Sequence, residues 1–172
     1  GWLSATALTL AAAGGAYLLI NAAIGHGDEA RPVHPLLLRS ALVLALVVAP
    51  LAGLALLAML IRTHQYGWTP ERIWGVLCCI IALCYGLAGW WAVARGRMAY
   101  PAILRVLQVR LALGVCALAL FLSLPIVDFG SISANNQLAR LNSGKVTAEK
   151  FDWPAMAFDF GKAGRSALRS IA

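Results

Sequence analysis

The sequence is poor in charge. Only 12% of its 172 residues are Asp, Glu, Lys or Arg, and only seven are acidic, whereas a soluble domain carries about 25% charged residues. This shortage excludes an ordinary water-soluble domain. The 61% share of hydrophobic residues excludes a disordered chain as well. Most of the chain must therefore be solvated by lipid.

Residues that could carry catalysis are also scarce. The sequence contains no nucleophile elbow, P-loop or dinucleotide-binding fingerprint. Its four cysteines lie inside apolar runs without metal or redox spacing, so we predict no disulfide framework. The histidines all lie outside those runs, which excludes haem ligation within the bilayer. We predict no cofactor, and the sequence does not indicate an enzyme.

One zinc site is conceivable in the first connection, which holds four suitable ligands: His26, Asp28, Glu29 and His34. Their spacing matches no metal motif, so we favour a solvated loop and predict no metal site.

Four apolar segments are each long enough to cross a bilayer, which takes about 20 residues of helix. They cover residues 2–24, 36–61, 73–94 and 107–126, joined by short polar connections. We predict an all-α fold in which this four-helix transmembrane bundle, residues 1–126, precedes a polar helical tail, residues 127–172. In the tail, Ser133 and either Thr147 or Asp152 are candidate starts of short helices.

The net charge of +7 comes mainly from connections and tail, where basic residues set topology and meet anionic lipid, so we predict no nucleic-acid partner. The first and third connections, with the adjoining span ends, hold Arg31, Arg39, Arg95, Arg97, Arg105 and Arg110. The second connection and the nearby tail hold Arg62, Arg72, Arg140 and Lys145. The richer side should be cytoplasmic, which places the tail in the periplasm of a bacterial cell.

Small residues at four-residue spacing predict where helices pack closely. One stripe follows the second span and another the first: Ala41, Ala45, Ala49 and Gly53; Ala7, Ala11 and Gly15. Pro50 should kink the second span, although neighbouring groups can satisfy the carbonyl that it frees.

Aromatic and basic residues at the span ends predict interfacial anchors: Trp68, Trp74, Trp90, Trp91, Arg62, Arg72, Arg95 and Arg97. In the motif T-P-E-R, Thr69 is a good N-cap and Pro70 fits the first helical position.

Polar residues within or beside the spans are few. Four of them could converge on one pocket: Tyr17, Asn21, Gln108 and Arg110. Interhelical hydrogen bonding is the simpler interpretation. In the tail, four aromatic residues could dock on a partner, the spans or the membrane surface: Phe151, Trp153, Phe158 and Phe160.

Two stretches carry a family resemblance. They are the connection Tyr66-Gly67-Trp68-Thr69-Pro70-Glu71-Arg72 and the tail from Gln137-Leu138-Ala139-Arg140-Leu141 to Phe158-Asp159-Phe160-Gly161. Residues 36–172 resemble bacterial multi-pass inner-membrane proteins known only as a domain of unknown function. The resemblance implies a longer natural protein, with further spans upstream and more soluble chain downstream, and no activity to carry over. Gly130, Ser131, Asn135 and Asn136 stand where that pattern leads us to expect basic residues.

These patterns favour a structural or accessory membrane component that packs on the helices of a partner or on remaining spans of a longer chain. Two alternatives stay open: part of a transporter or channel for a small solute or lipid, and the non-catalytic part of an envelope-modifying enzyme. A bacterial inner membrane is the expected location.

Overall fold

The computed structural model describes residues 5–25, 34–124 and 126–171, and within these ranges the regular structure is helical, with no strand. The helices are α1 (Ala5–Ile24), α2 (Pro35–Tyr66), α3 (Pro70–Gly96), α4 (Tyr100–Ser123), α5 (Phe129–Asn142), α6 (Trp153–Phe158) and α7 (Gly161–Ile171). A short 3-10 turn, Arg97–Ala99, separates α3 from α4. The predicted fold of four membrane-spanning helices and a helical tail is confirmed.

Length and composition make α1 to α4 membrane helices. They contain 20, 32, 27 and 24 residues, and at about 1.5 Å per residue even the shortest spans about 30 Å, the thickness of the hydrocarbon core. All four are apolar enough to cross a bilayer. The chain is therefore a multi-pass membrane protein.

The helices exceed several of the predicted bounds. α2 and α3 run beyond residues 36–61 and 73–94 at both ends. α4 starts at Tyr100, because the segment YPAILRVL continues directly into the span, and it ends at Ser123. One predicted boundary, the start of the first span at residue 2, lies outside the described residues.

The connection between α2 and α3 is set by local backbone chemistry. Gly67 has a φ of +80°, a left-handed conformation that favours glycine and stops α2. The Thr69 side-chain oxygen accepts from the Arg72 backbone N–H at 3.4 Å, and Pro70 is the first residue of α3. The predicted N-cap and helix start are both confirmed.

The chain divides into two compact units. We call residues 1–58 and 78–121 the membrane unit, and residues 59–77 and 122–172 the tail unit. The tail unit thus includes the end of α2 and the start of α3 with the connection between them.

Small side chains set the packing of the membrane unit. Half of its core residues are alanine: Ala13, Ala16, Ile20, Ile24, Ala41, Ala45, Val48, Ala92, Tyr100 and Leu104. A Cβ at Gly86 would lie 2.6 Å from the backbone of Ala49, and one at Gly89 would lie 3.1 Å from the carbonyl oxygen of Ala45. α2 and α3 therefore approach so closely that a side chain at Gly86 would clash.

The tail unit has a core of its own, formed by Ala134, Phe151, Met156 and Phe160, with α7 packed against both α5 and α6. Asp128 caps α5, its carboxylate accepting from the Gly130 N–H at 2.9 Å. The prediction that Ser133 starts this helix was wrong, since Ser133 is buried within α5. Asp152 caps α6 as predicted, accepting from the Ala155 N–H at 3.0 Å.

Candidate functional site

The two predicted packing stripes have different environments. On α2, Ala41, Ala45 and Ala49 are buried, whereas Gly53 is half-buried with open space where a Cβ would project.

On α1, by contrast, Ala7, Ala11 and Gly15 are exposed, and a Cβ at Gly15 would meet nothing within 4 Å. The buried face of α1 is instead Ala13, Ala16, Ile20 and Ile24. Within this chain, α1 therefore packs through the face opposite the predicted stripe, because the larger side chains of Ile20 and Ile24 bury more apolar surface there.

The predicted polar pocket gathers only in part. Tyr17 and Gln108 line one narrow space together with Tyr85, whose ring centroid lies 5.0 Å from that of Tyr17. That space holds about 10 Å³, which is close to the minimum for a single water. Asn21 and Arg110 are exposed and do not line it.

Pro50 lies inside α2 without interrupting the helix. Proline has no N–H, so the carbonyl four residues earlier, that of Leu46, loses its helical donor. The indole Nε1 of Trp90 donates to this carbonyl oxygen at 2.9 Å. Trp90, predicted as an interfacial anchor, thus supplies the hydrogen-bond donor that Pro50 lacks.

The other predicted anchors are half-buried or exposed. Arg62 and Arg97 are exposed, as is Trp91, over whose ring the Arg95 guanidinium lies at 4.8 Å from the centroid. Trp74 packs edge-on against Phe129 with centroids 5.3 Å apart.

The most elaborate polar arrangement is in the tail unit, at the C-terminus of α2. Helix ends leave four carbonyls without intrahelical donors. Arg140 of α5 donates through Nη2 to the backbone carbonyl oxygen of Gln65 at 2.6 Å and through Nη1 to that of His64 at 3.3 Å. The backbone carbonyl oxygen of Thr63 accepts from the Gly67 N–H at 2.8 Å.

The remaining carbonyl of α2 and the connection beyond it are held by the same helix. Gln137 Nε2 donates to the backbone carbonyl oxygens of Tyr66 and Trp68, each at 3.1 Å. Asn136 Oδ1 accepts from the Trp68 N–H at 3.0 Å. We call Asn136, Gln137 and Arg140 the connection clamp. Its cationic member also complements the negative end of the α2 dipole.

Arg72 reinforces this arrangement from α3. Its Nη1 donates to the backbone carbonyl oxygens of Gly67, at 2.6 Å, and Tyr66, at 3.2 Å. Arg72 was predicted to anchor the chain at lipid headgroups, but this donor atom binds the backbone of the connection.

Sequence reasoning missed the connection clamp. Gln137 and Arg140 lie in one of the two stretches that carry the family resemblance, residues 137–141, and the Gln137 acceptors Tyr66 and Trp68 lie in the other, residues 66–72. The occurrence of both stretches in a single resemblance was the signal that could have paired them.

The four aromatic residues of the tail divide into two pairs. Phe151 and Phe160 are 6% and 4% exposed and belong to the core of the tail unit, so they are not available to dock on a partner. Phe158 is 81% exposed. Trp153 donates through Nε1 to the Ala148 carbonyl oxygen at 2.9 Å and is 37% exposed.

No group of three or more metal-ligating side chains occurs among the described residues. Of the conceivable zinc ligands in the first connection, His26, Asp28 and Glu29 lie outside the described ranges. His34 is exposed, and its Nδ1 accepts from the Leu36 N–H at 3.3 Å.

Comparison with known protein families matches residues 4–158 to DUF4153, described as a domain of unknown function. Neither a curated protein nor a solved structure gives a significant match.

Proposed function

Since the chain belongs to the DUF4153 family, for which no activity is known, we propose from its structure that it is a non-catalytic component of a membrane assembly. In this proposal the exposed face of α1 that carries Ala11 and Gly15, which we call its outer face, packs on a transmembrane helix. That helix belongs to a partner protein or to a longer form of the same chain.

The observation that carries this proposal is the contrast between the two small-residue stripes. The stripe of α2 is covered at Ala45 and Ala49 by α3, whereas that of α1 is exposed at Ala11 and Gly15. Small residues let helix backbones approach closely in lipid, where no hydrophobic effect draws helices together. An uncovered stripe of this kind suits a helix from outside the chain.

A second apolar surface lies on another face of α1. A groove of about 260 Å³ is lined by residues of α1, α2 and α3 that do not include the stripe: Ala13, Gly14, Tyr17, Val48, Cys78, Ile81, Ala82 and Tyr85. A Cβ at Gly14 would meet nothing within 4 Å. The groove offers side chains of a docked helix room to interdigitate.

The proposed location is a bacterial inner membrane, with the tail on the periplasmic side. The excess of arginine in the first and third connections supports this orientation. The hydrogen bonds of the connection clamp also support placing the second connection and the tail on one side of the membrane.

A comparison of bulky substitutions tests the proposed contact. Ala11→Trp, on the outer face of α1, should abolish stoichiometric co-purification with the partner in a mild detergent. Leu54→Trp changes a residue that is 59% exposed on α2 and should leave co-purification intact. Equal retention of the partner by both variants would contradict the proposal.

A further inference from the structure

The tail unit contains a second feature that the packing role does not use, a cleft of about 490 Å³ beside the connection clamp. This volume is in the range of small-molecule sites, roughly 300–1,000 Å³. Its lining includes Tyr66, Thr69, Arg72, Arg140, Lys145 and Lys150.

The cleft is strongly cationic. Four of its lining residues are basic, Arg72, Arg140, Lys145 and Lys150, and one is acidic, Asp152. The Asp152 carboxylate already accepts a hydrogen bond as the cap of α6.

The two arginines donate to backbone carbonyls at the end of α2 and at Gly67, and these carbonyls carry no net charge to neutralise a guanidinium. Arg140 Nε is buried and has no hydrogen-bond partner. The cleft therefore retains an excess of positive charge.

The other lining residues of the cleft indicate which kind of anion it could bind. Three lining residues carry hydroxyl groups, Tyr66, Thr69 and Thr147, and two are apolar, Val146 and Ala155. The cleft also lies where α2 ends and α3 begins, and both helices are long and apolar enough to cross the bilayer. Lipid phosphates are concentrated at the ends of such helices.

We propose that this cleft binds a phosphate group, with Arg72 and Arg140 held in place by their backbone hydrogen bonds and the exposed Lys145 and Lys150 as two further cations. Guanidinium groups suit phosphate oxygens geometrically, and lysine contributes a point charge. The phosphate can belong to an anionic lipid headgroup or to a free phosphate ester.

The lysines offer the cleanest test, because their side chains are not part of the connection clamp. The complete chain in maltoside micelles is titrated with dihexanoyl phosphatidylglycerol, and binding is followed by phosphorus NMR. Lys145→Gln with Lys150→Gln should weaken binding roughly fivefold per lysine at low salt. Lys162→Gln, an exposed lysine of α7 that does not line the cleft, is the matched control and should bind as the unmodified chain does.

Two further titrations distinguish the sources of the phosphate. Glycerol 3-phosphate binding as tightly as phosphatidylglycerol identifies a free ester, whereas a clear preference for phosphatidylglycerol identifies a lipid. Failure of both anions to bind, or equal binding by the double variant and the control variant, overturns the proposal. Unchanged resistance of the tail to protease shows that each variant is folded.

Discussion

The indole nitrogen of Trp90 lies 2.9 Å from the carbonyl oxygen of Leu46, the one group in α2 that Pro50 deprives of its helical donor. A proline near the middle of a membrane helix is thus accommodated by a side chain of the neighbouring helix. The three residues should be energetically coupled, and this coupling can be measured.

Trp90→Phe should destabilise the membrane unit by about 1 kcal/mol, because it leaves the Leu46 carbonyl without a donor. In a Pro50→Ala background the new N–H of residue 50 satisfies that carbonyl, so the same substitution should cost clearly less. Reversible unfolding in mixed micelles across the double-mutant cycle gives the coupling energy. Costs that are equal in both backgrounds would show that the indole does not serve this carbonyl.

Gly86→Ala should destabilise the contact between α2 and α3 by about 1–3 kcal/mol, because the new methyl group would meet the backbone of Ala49 at 2.6 Å. Gly53→Ala is the control, since nothing lies within 4 Å of its Cβ position. It should be neutral or stabilising by up to about 1 kcal/mol. Thermal unfolding in detergent compares the two, and a Gly86→Ala protein as stable as Gly53→Ala would contradict this packing.

Gly67→Ala should loosen the tail unit more than Gly144→Ala does. Both glycines have positive φ, +80° and +71°, so each substitution carries a left-handed strain of about 1–2 kcal/mol. Only at Gly67 would the methyl group also meet Arg140 Cδ and Gln137 Nε2, both at 2.7 Å. Hydrogen exchange of α5 amides should rise more in Gly67→Ala, and equal exchange in the two variants would mean that the clamp tolerates the methyl group.

Phe160→Ala should destabilise the tail unit by about 3–5 kcal/mol, since it removes a 4% exposed ring from a small core. Phe158→Ala should change its stability by no more than about 0.5 kcal/mol, because that ring is 81% exposed. Limited proteolysis of residues 127–172 distinguishes the two variants. Similar cleavage rates would mean that Phe160 is not a core residue.

The membrane helices could be predicted from the sequence because hydropathy is a local property. Runs of about 20 apolar residues cannot be solvated by water, and α2 and α3 contain the predicted segments entirely. The Thr69 cap and the Pro70 start were equally readable, since capping depends on adjacent residues.

The sequence did not reveal which face of a helix is buried or which residues that face contacts, because both depend on tertiary contacts. The stripes of α1 and α2 look alike in sequence, yet only that of α2 meets a glycine pair, Gly86 and Gly89. Phe158 and Phe160 lie two residues apart and have opposite exposure.

The clamp joins residues that are 68–76 positions apart, and no local pattern encodes such a pairing.

Site-specific photocrosslinking on α1 tests the proposed packing role most directly. With a benzoylphenylalanine at position 11, irradiation of native membranes should give one discrete protein adduct of higher mass, whose transmembrane helix is then identified by mass spectrometry. The same probe at position 54 of α2 should give no discrete protein adduct. Only lipid adducts at position 11, or the same protein adducts at both positions, would contradict a partner helix on the outer face of α1.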